Sequence, residues 1–203
     1  MSLKKVKQKV HQGFTLLEMI VVVAIIGILL LVAVPAVTGY YTNSRLNSAN
    51  SDAKVVFNSL QTIMQEYEFA ERSADESFFY GSSKTGTLLL MGDQGLIKKA
   101  YVGSATSNFA SDAEIGAGSN PASATIGGRL IRLYPDYKTT AWCAYIENYR
   151  VYGVVAASAS DSHYIGGYPL KAQFKDDADV TGSTTIANVD VSIMQGYKAR
   201  AWS

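Results

Sequence analysis

Residues 14–41 read FTLLEMIVVVAIIGILLLVAVPAVTGYY, and Glu18 is the sole charged side chain in this stretch. As an α-helix rising 1.5 Å per residue, the stretch would reach about 42 Å, which exceeds the ~30 Å hydrocarbon core of a bilayer. Four lysines precede it, and the first charge after it is Arg45. The positive-inside bias therefore predicts a cytoplasmic N-terminus and an outward remainder. Since no small-x-small site follows the apolar run, we expect the anchor to stay attached.

The composition of the chain excludes several classes of protein. The 203 residues suffice for one domain with a core, and the net charge of +1 argues against an overall nucleic-acid-binding surface. A single cysteine, Cys143, excludes an intrachain disulfide and any cysteine-based metal or redox motif. We expect Cys143 to be a small buried side chain in a strand.

Glu18 requires an explanation, because a carboxylate inside a membrane span costs ~2.5–3.5 kcal/mol on insertion scales. Cleavage after Gly13 would place the new α-amino group of Phe14 four residues away, on the same helix face. Stacked copies could then pair Glu18 of one chain with the amine of the next. The alternative is a glutamate whose long stem snorkels to the headgroups. The residues alone leave both readings open.

The stretch GFTLLEMIVVVAIIGILLLVAVPAV, residues 13–37, resembles the N-terminal signature of type IV pilins and the related pseudopilins of type II secretion and competence systems. The resemblance rests on a basic leader ending in Gly13, then Phe14, Thr15, two leucines and Glu18. It continues through a long helix with Gly27 and Pro35 at the usual offsets of the family, and it covers about the first forty residues.

This resemblance implies a processing and assembly route. A prepilin peptidase would cleave after Gly13 and N-methylate Phe14, which removes a cytoplasmic leader of residues 1–13. An inner-membrane assembly platform with an ATPase-driven machine would then move the subunit from the membrane into a helical homo-oligomeric filament outside the cell. The helix at 14–42 would form the filament core, and Glu18 would neutralise the N-terminus of a neighbouring subunit.

Gly27 and Pro35 weaken the apolar helix, because proline removes a hydrogen bond at ~3 kcal/mol or more and glycine costs up to ~1 kcal/mol relative to alanine. They predict a bend or local melting that suits a packed shaft. Both residues are also common in membrane spans, which is the plainer interpretation.

The helix is predicted to continue beyond the apolar segment. One helix would run from about residue 15 to about residue 72, and its second half, residues 43–72, is amphipathic. Small and apolar residues recur at three-four spacing, at Leu46, Ala49, Ala53, Val56, Leu60, Ile63, Tyr67 and Ala70. Packing against a sheet of the same chain is favoured over a free coiled coil, because the repeat is short and strand-rich sequence follows it.

The head runs from 43 to 203, and its remainder predicts an α+β structure with an antiparallel sheet at about 129–194 covered on one face. This matches the pilin fold that the resemblance implies. Residues 88–91 and 95–97 fit a short helix or a strand pair, and residues 103–128 predict a long surface loop. Strands are predicted at 129–134, 140–147 and 150–157, the last two as a hairpin, with further strands at 170–175 and 189–194.

The head shows little sign of catalytic chemistry, so we expect no enzyme and no cofactor. His163 stands alone in a turn-like segment, and the glycine pairs at 127–128 and 166–167 are interpreted as turns. Three acidic residues, Asp176, Asp177 and Asp179, are weak calcium candidates, because their spacing does not fit an EF-hand and a solvated acidic loop is the plainer reading.

Aromatic residues cluster in and beside the predicted strands, at Trp142, Tyr145, Tyr149 and Tyr152. If exposed together, they would offer a flat adhesive face for carbohydrate or another cell surface. The alternative is that they belong to the core, since tyrosine suits strands.

The sequence therefore favours a type IV pilus subunit serving adhesion, motility or aggregation. A pseudopilin is the alternative, and a single-span anchored binding domain explains the N-terminal details less well. The lack of a clear calcium loop and the long loop at 103–128 favour a pilin. The missing disulfide favours a host with a single membrane.

Overall fold

A computed structural model of the chain describes residues 14–74, 86–93, 95–102, 125–134, 136, 139–162, 164–171 and 185–203. The leader, most of the predicted 103–128 loop, His163 and the calcium candidates Asp176, Asp177 and Asp179 lie outside these residues. The chain divides into two compact units, Met1–Tyr41 and Thr42–Ser203, and each is described by itself.

The described elements follow one another in an α+β order. They are helix α1 (Leu16–Ala74), strands β1 (Thr87–Asp93) and β2 (Leu96–Val102), helix α2 (Ile126–Leu133), strands β3 (Ala141–Glu147), β4 (Arg150–Ala157) and β5 (Gly166–Tyr168), a 3-10 turn (Ile186–Asn188) and helix α3 (Val191–Ala201).

The single long helix predicted from about residue 15 to about residue 72 is confirmed by α1. The apolar segment of α1 contains a stretch of 18 residues with a mean hydropathy of 3.2, and none of these residues is buried within the chain. By length and composition, the helix could cross a membrane. Pro35 lies inside the helix, and the Thr38 hydroxyl donates to the Pro35 carbonyl at 3.0 Å. The helical assignment runs through both Gly27 and Pro35, and the bend stays a prediction.

In the second unit, α1 buries the predicted stripe. The buried members are Leu46, Ala49, Ala53, Val56, Leu60 and Ile63, joined by Met64. Tyr67 is half-buried and Ala70 is exposed, so the predicted stripe is buried as far as Ile63 and Met64 and only partly beyond them. The three-four spacing thus reports the face that packs on the sheet.

The described strands form one antiparallel sheet in the order β2-β1-β3-β4-β5. The strand-pair alternative for residues 88–97 and the β3–β4 hairpin are both confirmed. Asn148 and Tyr149 make the two-residue turn of this hairpin with φ of 48° and 65°. Primed turns require positive φ at both central positions, and Asn adopts it most readily after Gly. The Asn148 side chain also accepts from the backbone N–H of Gly86 at 2.9 Å.

Both faces of the sheet are covered, which corrects the expectation of one covered face. On one face, Trp142, Ala144 and Val154 pack with the α1 stripe and with Ile126 and Leu130 of α2. On the other face, a second cluster joins strand residues to the 3-10 turn and α3; it comprises Leu89, Ala141, Cys143, Tyr145, Val155, Ala157, Ile165, Ile186, Val189, Met194 and Tyr197. Because strand residues alternate between faces, β3 and β4 must be apolar on both sides.

The predicted strand at 129–134 is wrong, because this segment forms most of α2. The Thr125 side chain caps the helix by accepting from Gly128 N at 3.1 Å. Burial then follows helical spacing, with Ile126, Leu130 and Tyr134 inside and Arg132 exposed. The glycine pair at 127–128 is buried in this helix and is not a turn.

The predicted strand at 189–194 is also wrong, because α3 begins at Val191 with Asp190 as its N-cap. The Asp190 carboxylate accepts from Ile193 N at 2.8 Å. The predicted strand at 170–175 is not found at residues 170 and 171, and the rest of it lies outside the described residues. The glycine pair at 166–167 belongs to β5 instead of a turn.

At Gly166, the backbone of α1 lies very close to the sheet. A Cβ atom at Gly166 would lie 2.2 Å from the backbone carbon of Ala49 and 2.2 Å from the nitrogen of Asn50. The next residue, Gly167, donates its N–H to the Asn50 side chain at 2.8 Å in a buried hydrogen bond. Only a residue without a side chain allows the helix backbone to lie this close to β5.

Gly166→Ala is therefore expected to lower the free energy of unfolding by at least the ~1–3 kcal/mol typical of overpacking, since the clash is with backbone that cannot rotate away. Urea unfolding of the full chain in detergent, followed by circular dichroism, measures the change. Gly196→Ala is the matched control, because a Cβ there meets nothing within 4 Å and lies in the interior of α3. It is expected to stabilise by ~0.5–1 kcal/mol. Equal effects of the two variants would contradict the close approach.

Candidate functional site

The N-terminus of α1 holds the residues to which the sequence assigned assembly. Thr15 is the residue before the helix, and its backbone N–H and hydroxyl both donate to Glu18 Oε2, at 2.9 and 2.8 Å. Glu18 N returns a hydrogen bond to the Thr15 hydroxyl at 3.3 Å. This reciprocal arrangement is a capping box, which satisfies backbone donors that the first helical turn leaves free.

The capping box gives Glu18 a role inside its own chain that the sequence analysis missed. The signal was present, since Thr15 and Glu18 stand in the T-x-x-E spacing of a capping box. A carboxylate in the first turn also interacts favourably with the positive end of the helix dipole. Phe14 precedes the box with 83% of its surface exposed, so the residue expected to become the N-terminus is open to a neighbour.

The candidate adhesive aromatics do not form one exposed face, which corrects that interpretation. Trp142, Tyr145 and Tyr149 are buried at 1%, 1% and 6% exposure, and Tyr152 is half-buried. Trp142 is packed so closely that a Cβ on Gly92 would meet its ring at 2.3 Å. The alternative reading, that these residues belong to the core, is the one that the structure supports for the first three.

An aromatic residue that the sequence analysis did not select, Trp202, lies at the surface next to Tyr152. Tyr152 is the extra residue of a β-bulge, because Tyr145 pairs with Gly153 and Ile146 pairs with Val151. The indole N–H of Trp202 donates to the Tyr152 carbonyl at 2.7 Å. Backbone groups at a bulge lose their ladder partners, so Trp202 fills a need that the bulge creates.

A second side chain supports the backbone of the same bulge from α1. The Gln61 side chain accepts from the N–H of Val151 at 2.9 Å. Strand β5 pairs with β4 only from Val154 to Ala156, so the β4 backbone before Val154 has no strand on that side among the described residues. Gln61 and Trp202 thus hold part of β4 where β5 does not reach.

Glu147 and Lys198 form an ion pair that joins the end of β3 to α3. The Tyr145 hydroxyl donates to the other carboxylate oxygen, Oε1, at 2.5 Å. Partial burial alone would raise the pKa of Glu147, but the hydrogen bonds from Lys198 and Tyr145 and the charge of Lys198 outweigh it, so the pKa is lowered. The carboxylate is therefore held ionised in a fixed orientation.

The described residues contain no cluster of three or more His, Cys, Asp or Glu side chains that could hold a metal ion. Cys143 is fully buried in β3, as predicted, and burial followed by the charge of Asp190 raises the pKa of its thiol. A thiol in this state is poorly reactive.

Comparison with known proteins adds two findings. Residues 8–34 match the family model described as the prokaryotic N-terminal methylation motif. The chain is 28% identical over 150 residues to the type IV major fimbrial protein FimA of Dichelobacter nodosus. This alignment covers 68% of this chain and 89% of that protein. No solved structure matches the chain.

The geometry defines an α+β head behind an apolar N-terminal segment, because the long helix α1 begins with a capped apolar stretch and continues into residues that pack on an antiparallel sheet. The methylation motif and the fimbrial relative support the type IV pilin family for this chain, as the sequence resemblance predicted.

Trp202→Phe keeps an aromatic ring but removes the indole donor to the Tyr152 carbonyl. It is expected to lower the free energy of unfolding by about 0.5–1.5 kcal/mol, the usual net value of one hydrogen bond. Urea unfolding of the full chain in detergent is the measurement. Phe69→Ser, at a side chain that is 75% exposed, is the control and should change stability little. An unchanged Trp202→Phe variant would show that the bulge carbonyl is equally well satisfied by water.

The lowered pKa of Glu147 predicts a pH-dependent contribution to stability. The pKa of Glu147 in the folded chain lies below its ordinary value of 4.5, so the contribution to stability is present above pH 4.5 and is lost as the pH falls through the folded pKa. Glu147→Gln should therefore destabilise the chain at neutral pH by less than about 1 kcal/mol, because the pair is partly solvated, and by less still in acid.

Thermal unfolding at pH 7 and in acid measures this effect. In a Lys198→Met background, Glu147→Gln is expected to cost much less at pH 7, because the partner charge is gone. A cost that is the same at both pH values would contradict the ion pair.

Proposed function

We propose that this chain is the structural subunit of a type IV pilus, made as a membrane-anchored precursor and polymerised through its apolar helix. The observation that carries the proposal is the N-terminal site. Glu18 lies four residues after Phe14, in the first turn of an apolar helix whose membrane-length segment has no residue buried within the chain. In this proposal the mature chain is not an enzyme and requires no cofactor.

Processing would occur at the junction between Gly13 and Phe14. A prepilin peptidase would remove residues 1–13 and methylate the new amine of Phe14. The matched methylation motif, residues 8–34, spans this junction, which supports the assignment. The exposure of Phe14 supports it as well, because the new terminus must be reachable by both the enzyme and a neighbouring subunit.

Glu18 would then act in two successive environments. Before assembly, the capping box gives the carboxylate hydrogen-bond donors within its own helix, which offsets part of the ~2.5–3.5 kcal/mol cost of a carboxylate in a span. In the filament, the amine of Phe14 from a neighbouring copy would supply a full positive charge. A charged partner stabilises a carboxylate more than neutral donors do, so the assembled state is favoured.

The apolar helix would find equivalent surroundings before and after assembly. Large side chains such as Leu16, Ile28 and Leu31 are 69–81% exposed in the single chain. Lipid tails cover them in the membrane, and the helices of other copies would cover them in the shaft. Because apolar burial is similar in both states, extraction is expected to need mechanical work from an ATPase-driven machine and its assembly platform.

The fimbrial relative, which is named a major fimbrial protein, supports a pilus over the pseudopilin alternative. We further propose that the host has a single membrane. The exported head has one cysteine and therefore lacks the intrachain disulfide that is common in exported proteins. Adhesion, motility or aggregation would be the roles of the filament.

Mass spectrometry of filaments sheared from cells tests this proposal, together with two variants that separate charge from capping. Wild-type filaments should yield a mature chain that begins at N-methylated Phe14. Glu18→Gln retains a capping-box acceptor but removes the charge. It should reduce filament yield at least about tenfold, because leaving one charge of a buried pair uncompensated costs ~3–5 kcal/mol.

Thr15→Ala is the matched variant, since it removes the hydroxyl of the capping box but keeps the Glu18 charge. It should assemble much closer to wild type. A mature chain that retains residues 1–13 would overturn the proposal. Equal filament yields from Glu18→Gln and wild type would remove the assembly role of Glu18. Correct processing without extracellular filaments would favour the pseudopilin alternative.

A further inference from the structure

A groove on the head surface runs beside the C-terminal turn of α3. It is lined by Tyr145, Glu147, Gln195, Lys198, Ala199 and Trp202. These side chains come from the end of β3 and from one face of α3 together with its C-cap residue, so the groove exists only because α3 covers this face of the sheet. Trp202 is its most exposed large apolar side chain, at 45%.

The indole of Trp202 is held in place before any ligand arrives. Its N–H donates to the Tyr152 carbonyl at 2.7 Å, and its ring makes an edge contact with the Tyr152 ring at a centroid distance of 6.0 Å. The guanidinium of Arg150 lies over the ring at 4.7 Å. An aromatic side chain fixed in this way loses little conformational entropy when a ligand stacks on it.

The polar groups of the groove are equally fixed. Tyr145 donates to one oxygen of the Glu147 carboxylate, and Lys198 donates to the other. Each carboxylate oxygen has two lone pairs, so each retains an acceptor position for a ligand hydroxyl. The Lys198 ammonium also lies 4.0 Å from the centroid of the Tyr152 ring, which restrains the lysine further. Exposed Gln195 hydrogen-bonds to the Tyr145 hydroxyl with its side chain, and its amide group retains a second donor and an acceptor for a ligand.

The chemistry of the lining decides which class of ligand fits. A polyanion such as nucleic acid is disfavoured, because Glu147 lies in the groove and neutralises Lys198. A lipid or a protein interface core needs contiguous apolar surface, and Ala199 is the one aliphatic side chain in the lining. A pyranose matches better, because it presents an apolar C–H face and a ring of hydroxyl groups.

We propose that this groove is a glycan-binding site that takes one pyranose ring against Trp202, with the sugar hydroxyls hydrogen-bonded to Glu147, Lys198 and Gln195. Trp202 supplies the stacking surface, and the ion pair supplies acceptors and donors in a fixed geometry. The site lies within the head of a single chain. It would give the proposed pilus subunit an adhesive surface, but its binding chemistry does not require a filament.

Saturation-transfer NMR on the full chain in detergent micelles tests the site with four disaccharides as probes: cellobiose, maltose, lactose and N,N′-diacetylchitobiose. At least one of them should give saturable transfer at or below about 10 mM, the range of weak single-ring recognition. Trp202→Ala should abolish this signal, and Trp202→Phe should retain part of it because a ring remains. Phe69→Ser should bind like wild type.

Gln195→Ala is expected to fold, because this side chain is exposed and contributes a hydrogen bond to Tyr145 at the surface of the head. It should weaken binding by roughly three- to tenfold, the effect of one lost hydrogen bond to the sugar, while the chain still unfolds cooperatively. The chain with Glu18→Gln should still bind, so failure of filament assembly and failure of this site are distinguishable. The proposal is overturned if none of the four sugars gives transfer at about 10 mM. It is also overturned if Trp202→Ala and Gln195→Ala bind like wild type.

Discussion

Helix α1 and strand β5 approach each other so closely that only a hydrogen atom fits between them at Gly166, and the rest of the head depends on this contact. The backbone of Ala49 and Asn50 forms the helix side of this contact, and the buried Asn50 side-chain oxygen accepts from Gly167. The close approach lets the larger residues of the α1 stripe reach the sheet. Since interiors are close-packed, the helix has one position at which the stripe and the hydrogen bond are both satisfied.

The opposite face of the sheet is closed by a different set of interactions. Helix α3 contributes Met194 and Tyr197 to the core, and its polar side chains bind the ends of the strands. Lys198 pairs with Glu147, and Trp202 donates to the bulge carbonyl of Tyr152. Trp202 thus supplies a donor where the β ladder is irregular, and Lys198 binds the Glu147 side chain where β3 ends, so α3 and its cap residue hold the strands at points where the regular ladder stops. The same side chains create the groove beside Trp202.

Under the proposed function, the carboxylate of Glu18 would serve the chain in two states. Glu18 closes a capping box with Thr15, and this intrachain arrangement is available to a chain that has no neighbour. The positively charged amine of a neighbouring copy would compete with the neutral donors of Thr15 for this carboxylate. Assembly would therefore exchange a neutral hydrogen-bonded interaction for an ionic one. In the proposed filament, this exchange would take place at the head of a helix whose apolar side chains are exposed in the single chain, and copies of the same chain would meet both requirements.

The sequence by itself determined the parts of this protein that depend on local spacing. Apolar content fixed the long helix, three-four spacing marked the face of α1 that packs, and period-two patterns with turn residues marked β3 and β4. The N-terminal motif pointed to the family because its residues are adjacent in the chain.

Tertiary structure decided the rest. Residues 129–134 and 191–194 carry patterns that fit a strand or a helix, and the caps Thr125 and Asp190 together with burial on both sheet faces selected the helix. The burial of the aromatic residues also depended on tertiary packing. Trp142 and Trp202 have the same side chain, but Trp142 is buried in the core and Trp202 is partly exposed at the surface, because packing determines which side chains water can reach.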